Sequence, residues 1–340
     1  MKLPDRIDLT HGSGGLASAR LIEHLFKKHF HNDFLAQSND ATLLPIRADK
    51  IVVSTDSHVV SPLFFPGGDI GSLAVNGTVN DVAMAGAKPL YLTAGFIIEE
   101  GFATADLERI VSSMANCARH SKVSIVAGDT KVVEKGNADG LFINTTGVGV
   151  LEHPLNISGN NAQPGDVIIL NGSIGDHGVA ILSYRENLSF GTTIESDCAA
   201  LNGLVARIVQ QTQHIHCLRD PTRGGLATSL NEIAQQSNVK IVIEEEHLLV
   251  KPEVEAACEL LGLDPLYIAN EGKLICICPK AHANDVLNAM HNHPLGREAR
   301  IIGEVLEKDN GLNSPVEMRT IFGSHRVIDW LVGEQLPRIC

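Results

Sequence analysis

Residues 152–165 (EHPLNISGNNAQPG) interrupt the chain with two Pro, two Gly and three Asn between apolar runs, which is turn and linker chemistry. Before the break, strand-like runs at 51–55, 123–127 and 141–150 mix with helical patterns near 18–29, 70–85 and 105–120. After it come a strand at 166–170, helices near 199–212, 226–236 and 252–261, and strands at 239–244 and 274–278. A helix near 281–290 and strands near 300–306 and 317–322 follow. Both halves mix the two element types without strict βαβ alternation, so the expected class is α+β in two domains, 1–155 and 156–323. Residues 324–340 (SHRVIDWLVGEQLPRIC) lack a long periodic pattern and are expected to form a flexible tail.

Charge removes several classes of partner. Lys+Arg 27 against Asp+Glu 40 gives a net charge of −13 over 340 residues, so neither nucleic acid nor an anionic membrane surface is expected as the main partner. No apolar run approaches the roughly 18 residues of a spanning helix. The polar, Gly-rich start shows no signal-peptide core, and the expected location is the cytoplasm. Seven cysteines are spread without a CxxC pair. Cys276 and Cys278, two apart in LICICP, share one face of an apolar strand and read as core thiols. His214, His216, His291 and His293 do not resemble paired zinc ligands.

Several polar residues stand where a core chain has no need of them. His11-Gly-Ser-Gly-Gly15 precedes a helix, where glycine amides and the helix dipole suit an anion, but taken by itself the segment reads more readily as a flexible Gly-rich arm. No strand precedes it, so a dinucleotide fingerprint fails on context, and no G-x-x-x-x-G-K-[ST] P-loop occurs. Asp40 lies in a polar break. Asp56 closes the apolar run IVVSTD, and Asp129 follows VSIVAG with Lys131 two residues on. Asp81 lies in a small-residue helix beside Asn80, which shares a face with Asn76. Any one of these is commonly a cap or turn former, but several hard oxygen ligands from separate elements suit Mg²⁺-nucleotide chemistry. Arg219-Asp-Pro-Thr-Arg-Gly-Gly225 opens a helix, with Arg223 able to hold a phosphate or carboxylate. Glu271, in NEGK before the strand LICIC, is either a general base or a turn carboxylate. Cys340 ends the chain. A terminal thiol on a tail has no evident packing role; Arg338 beside it is expected to favour the thiolate, with the terminal carboxylate opposing that. Fully extended, residues 326–340 reach up to roughly 50 Å, enough to carry a covalent group between two sites. A C-a-a-X box is excluded because its Cys would lie four from the end.

HGSGG, STDSHV, PLFFPGGDIG, NGTVNDVAMAGAKP, GDTKVV, LFINTTGVG, GDHG, RDPTRGG, NEGKL, HNHPLG and the terminal PRIC together closely resemble the HypE family of hydrogenase maturation factors. The resemblance runs along essentially the whole chain. That family sits within the wider group of aminoimidazole ribonucleotide synthetase, selenophosphate synthetase and thiamine-phosphate kinase. The nucleotide motifs mark the wider group, and PRIC marks the HypE family.

The resemblance implies an aminoimidazole ribonucleotide synthetase-like fold and a homodimer joined through the N-terminal sheets. It implies ATP-dependent dehydration of an S-carboxamide on Cys340 to S-cyanate. The carbamoyltransferase HypF would load the cysteine, and the HypC–HypD complex would receive cyanide for the iron of [NiFe] hydrogenase. Within that reading Asp40, Asp56 and Asp81 are Mg²⁺ ligands. Gly12, Ser13, Gly14, Gly15, Thr55, Asn80, Asp129, Thr130 and Arg223 surround ATP, with HGSGG as a lid. Lys131 polarises the transferring phosphate or carboxamide oxygen, and Glu271 is the base. Two other readings stay open: a small-molecule kinase or synthetase of the same fold, and a non-catalytic ATP-binding scaffold. Selenophosphate synthetases carry a reactive Cys or selenocysteine near a Lys in the N-terminal loop, and HGSGG has neither.

Overall fold

The structure is a computed structural model that describes residues 3–13, 15–37, 41–188, 193–308, 315–333 and 336–340. Its first half contains α1 (Gly15–Leu21), a π-helical turn (Ile22–Phe26) and α2 (Lys27–Phe30), then β1 (Ile51–His58), β2 (Phe64–Phe65), β3 (Gly68–Asp69), α3 (Ile70–Met84), β4 (Lys88–Glu99), α4 (Thr104–Ser121), β5 (Ser124–Val133) and β6 (Leu141–Val150). The second half contains β7 (Asp166–Leu170), α5 (Asp176–Arg185), α6 (Asn202–Gln211), β8 (Cys217–Arg219), α7 (Gly225–Ser237), β9 (Lys240–Glu244), α8 (Pro252–Leu261), β10 (Ile275–Pro279), α9 (Ala283–His291), β11 (Arg300–Leu306), β12 (Val316–Arg319) and β13 (His325–Val327). Residues 151–165 join β6 to β7 without helix or strand. Among the described residues no helix is long and apolar enough to cross a membrane.

The first sheet has the order β1-β6-β4-β5, antiparallel except for the β4/β5 pair. α3 and α4 cover one face, where Leu73, Val79, Ile110, Met114 and Ile98 are fully buried. Asp69 caps α3 by accepting from the Ser72 N–H at 2.9 Å, which fixes where the helix starts. On the other face Ile51, Val53 and Ile97 stand exposed, so this sheet presents an apolar surface.

The second sheet has the order β13-β12-β9-β11-β7-β10-β8 and is covered on both faces. Ile168, Leu170, Ile275 and Ile277 pack with Leu230 and Ile233 of α7, while Val167, Ile169, Cys276 and Cys278 pack with Ile208 of α6 and Met290 of α9. The period-2 alternation of a strand explains why uninterrupted apolar runs suit β7 and β10. Cys276 and Cys278 are free buried thiols on one face, as their spacing predicts.

Two elements depart from the sequence pattern. α5 carries no amphipathic stripe, because most of its residues are buried on all sides, whereas β4 alternates buried with half-buried or exposed residues, with a break in its register against β6 between Pro89 and Tyr91. The C-terminal segment also differs from expectation. Residues 325–327 pair with β12, and Ile328 is fully buried, so the second sheet continues past residue 324. Beyond it, Leu336–Cys340 is docked rather than extended, with Ile339 packed into the core.

Candidate active site

β1 alternates between the open face and α3, and this sorts its polar residues. Asp56 and His58 point at α3, where a Cβ on Gly77 would lie 3.2 Å from the His58 ring and 3.6 Å from the Asp56 carboxylate. Glycine at 77 therefore makes the room for both side chains. Asp81, one turn further along α3, accepts from Ser54 Oγ at 2.8 Å. Its pKa is raised, first by burial and further by the charge of Asp56. Asp220 joins them from the RDPTRGG loop, pushed up to about 7 by loss of water and by the nearby Asp81. Asp81, Asp220, Arg219 and Arg223 line a cavity of 570 Å³.

Three motifs of the second half are knotted together beside it. Asn270 accepts from the Gly175 N–H at 2.8 Å and donates to Pro221 O at 3.0 Å, tying NEGK to GDHG and to RDPTRGG. Asp197 accepts from the Glu271 N–H at 3.0 Å, the Gly272 N–H at 3.2 Å and Lys273 Nζ at 2.8 Å. Burial alone would raise Asp197, but the Lys273 ammonium, with smaller help from His177 and the Glu271 N–H, holds the carboxyl below its usual range. Removing that cation leaves a buried charge uncompensated. Lys273→Met is therefore expected to cost about 3–5 kcal/mol in a urea melt. An unchanged midpoint would show that the pair does not hold the loop.

Glu271 is buried by this arrangement, and its pKa is raised well above the ordinary glutamate value. Burial is the largest cause, followed by repulsion from Asp197, Asp220, Asp56 and Asp81. Cys340 sits next to it. The Val59 N–H donates to Cys340 O at 3.0 Å and the Ser61 N–H to Arg338 O at 3.1 Å, so the tail runs along the chain that follows β1. Burial, then the Glu271 charge, pushes the Cys340 thiol up to about 12, against the favourable field of Arg223. The docked thiol is thus neutral, which corrects the expectation that Arg338 activates it. Arg338 instead pairs with Asp139 and donates to Val59 O at 3.0 Å.

The remaining expected residues divide. His11, Gly12, Asp129, Thr130 and Lys131 line a separate cavity of 240 Å³, partly walled by Phe26 and Phe30. A Cβ on Gly12 would lie 2.3 Å from Val132 N, so only glycine lets the N-terminal arm lie on β5. Ser13 donates to Thr10 O at 3.3 Å, and Gly15 opens α1. Lys131 and Asp129 pair at 3.3 Å, both exposed. The sheet order sets β5 three strand spacings, about 14 Å, from β1. One chain therefore does not bring Asp129, Thr130 or Lys131 to Asp56 and Asp81. Thr55 lies on the open face, opposite in direction to Asp56. Asn80 is engaged by protein: it donates to Ala199 O at 3.0 Å and accepts from the Leu201 N–H at 2.7 Å, which makes it a strut between the halves rather than a nucleotide contact. Asp40 and Gly14 lie outside the described residues. Sequence reasoning missed His58, His177, Asp197 and Asp220. His58 is buried 3.5 Å from Asp56, and neither of its ring nitrogens has a hydrogen-bond partner among the described residues.

No group of three or more described His, Cys, Asp or Glu residues forms a ready-made metal cage. Mg²⁺ does not need one, because it keeps waters and takes one or two carboxylates plus phosphate oxygens. Asp56 and Asp81, hard oxygen donors that repel each other, fit such a partial shell.

Models of the AIR synthase related protein family match the chain, the N-terminal domain at residues 38–151 and the C-terminal domain at 163–312. The carbamoyl dehydratase HypE of Cupriavidus necator is 61% identical over 98% of this chain and 95% of the relative. A crystal structure of the hydrogenase maturation protein HypE in complex with ATP superposes with a TM-score of 0.94 at 51% identity, covering 98% of this chain and 99% of that one. The crystal structure of a HypE–HypF complex matches with a TM-score of 0.80 at 51% identity, covering 92% of this chain and 99% of the other.

Proposed function

The chain belongs to the HypE family of carbamoyl dehydratases within the AIR synthase related proteins, and on that premise we propose that it dehydrates a carboxamide carried on its own Cys340, consuming ATP, to supply cyanide for [NiFe] hydrogenase iron. The observation that carries this reading is the seat of the chain's last residue, in a cleft between the halves and against Glu271, Asp56 and Arg223.

The chemistry follows from those neighbours. An amide oxygen leaves poorly, so the carboxamide oxygen attacks the γ-phosphorus of ATP and ADP departs. Glu271 takes one N–H proton as the C=N bond forms. Loss of the second N–H proton with cleavage of the C–O bond expels phosphate and leaves S–C≡N. Glu271 is the candidate base because its raised pKa makes its ionised form a strong proton acceptor. Arg223, exposed beside the thiol, offers a counter-charge to the phosphorylated oxygen. Magnesium, held by Asp56 and Asp81 with Asp40, would neutralise charge on the transferring phosphoryl group.

Lys131 and Asp129 need a second copy to fit this account. The exposed apolar face of the first sheet supports a homodimer through that face, on which Thr55 also lies. The complex of a relative with HypF supports that carbamoyltransferase as the loading partner, and HypC–HypD is the proposed cyanide acceptor. Seven free cysteines suit a reducing compartment, the cytoplasm.

Phosphate release tests the reading. With Cys340 loaded, one phosphate is expected per cyanate formed, and Asp81→Ala is expected to abolish the release while costing about 1 kcal/mol of stability for the lost Ser54 hydrogen bond. Normal turnover in that variant would sink the assignment of Asp81. ATP hydrolysis that ignores the state of Cys340 would favour a free-substrate kinase.

A further inference from the structure

Besides the packing of Ile339 and the contacts of the Arg338 side chain, the docked tail is held by its backbone oxygens. Arg185 Nη1 donates to Pro337 O at 2.8 Å and Nη2 to Arg338 O at 2.8 Å, while Nε holds Ser61 O at 2.9 Å. The Ile339 carbonyl is 2.6 Å from Nε2 of His177, and the Cys340 oxygen accepts from Val59 N–H. Every carbonyl from Pro337 to Cys340 is therefore taken.

We propose that His177 and Arg185, at the two ends of α5, are positioning residues that seat the tail for dehydration by gripping its carbonyls. The inference rests on the carrier reading of Cys340. Its chemistry is explicit for His177. A carbonyl only accepts, so Nε2 carries the proton, and Nδ1 must accept. Ser196 Oγ lies 2.8 Å from Nδ1 and itself accepts from the Cys198 N–H at 3.1 Å, so its hydroxyl proton goes to Nδ1 and fixes the tautomer. The ring is fully buried and stands edge-on to Phe65, which leaves it one orientation. Burial also lowers its pKa, keeping it neutral against the pull of Asp197. The consequence falls on Cys340. The carbonyl before it and an oxygen of its own terminal carboxylate are both held, so its backbone is fixed and only the side-chain torsion remains free. A displacement of about 1 Å at a reacting group costs roughly 10²-fold, and this is the geometry the grip protects.

Two measurements test it. In the first, chain loaded by the carbamoyltransferase is followed through a single turnover by mass. His177→Ala and Arg185→Met are expected to slow dehydration about 10–10²-fold with loading undiminished, since the partner must take the thiol out of the cleft. His177→Gln, whose amide N–H still reaches Ile339 O, is expected to recover most of the rate. In the second, iodoacetamide labelling of the C-terminal peptide is expected to rise at least about tenfold in both loss variants. Unchanged labelling and wild-type dehydration would overturn the grip. Proportionate loss of loading and dehydration would also overturn it, as a fold defect. A wild-type chain that never dehydrates, while labelling still responds, would instead sink the carrier reading and leave the grip standing.

Discussion

Cys340→Ala is expected to fold, to accept no carbamoyl group and to deliver no cyanide, the largest functional loss available from a single atom. Its side chain is half-buried against the first core and makes no disulfide, so removing the sulfur is expected to cost only about 1 kcal/mol in a thermal melt. The backbone seat does not depend on the thiol, because Val59, His177 and Arg185 hold carbonyls. The variant therefore separates packing from chemistry. Hydrogenase maturation supported by the Ala variant would overturn the carrier mechanism.

Glu271→Gln is expected to lower cyanation by roughly 10²–10⁴-fold, the usual worth of a general base, while loading of Cys340 continues. The pH dependence has a defined sign. The base works only when ionised, so the wild-type rate rises with pH through a value above the ordinary carboxylate range, and the Gln variant lacks that limb. Stability moves the other way. Between the ordinary glutamate pKa and the raised one, the unfolded chain has released a proton that the native chain keeps, so native stability falls as pH rises. Glu271→Gln removes that burden and is expected to gain stability, more at pH 8 than at pH 5. A Gln variant that cyanates at the wild-type rate would make Glu271 a turn carboxylate and move attention to Lys131.

Local patterns carried the architecture where one face of an element met water. α4, with its apolar stripe, and the polar-ended β1 were legible in this way. α5 was not, since an element buried on nearly all sides loses the periodicity that a sequence displays. Sheet order was illegible as well. TDS and GDT look like neighbours in function, yet β1 and β5 are opposite edges of one sheet, and no local signal encodes that. His177 shows the same limit at longer range: the residue stood within GDHG, but its partner carbonyl lies 162 positions away. The docked tail was hidden because most of its hydrogen bonds use its backbone oxygens, which have no sequence signature. Glu271 was placed correctly beside its strand, while the network that raises its pKa came from Asp197 and Asp220 on separate loops.

The most direct test of carrier chemistry is the intact mass of the wild-type chain incubated with the carbamoyltransferase, carbamoyl phosphate and ATP. Loading is expected to add about 43 Da, and ATP is then expected to remove about 18 Da, both changes mapping to the peptide that ends in Cys340. A gain that persists unchanged in the presence of ATP, or a change at any other cysteine, would contradict the account.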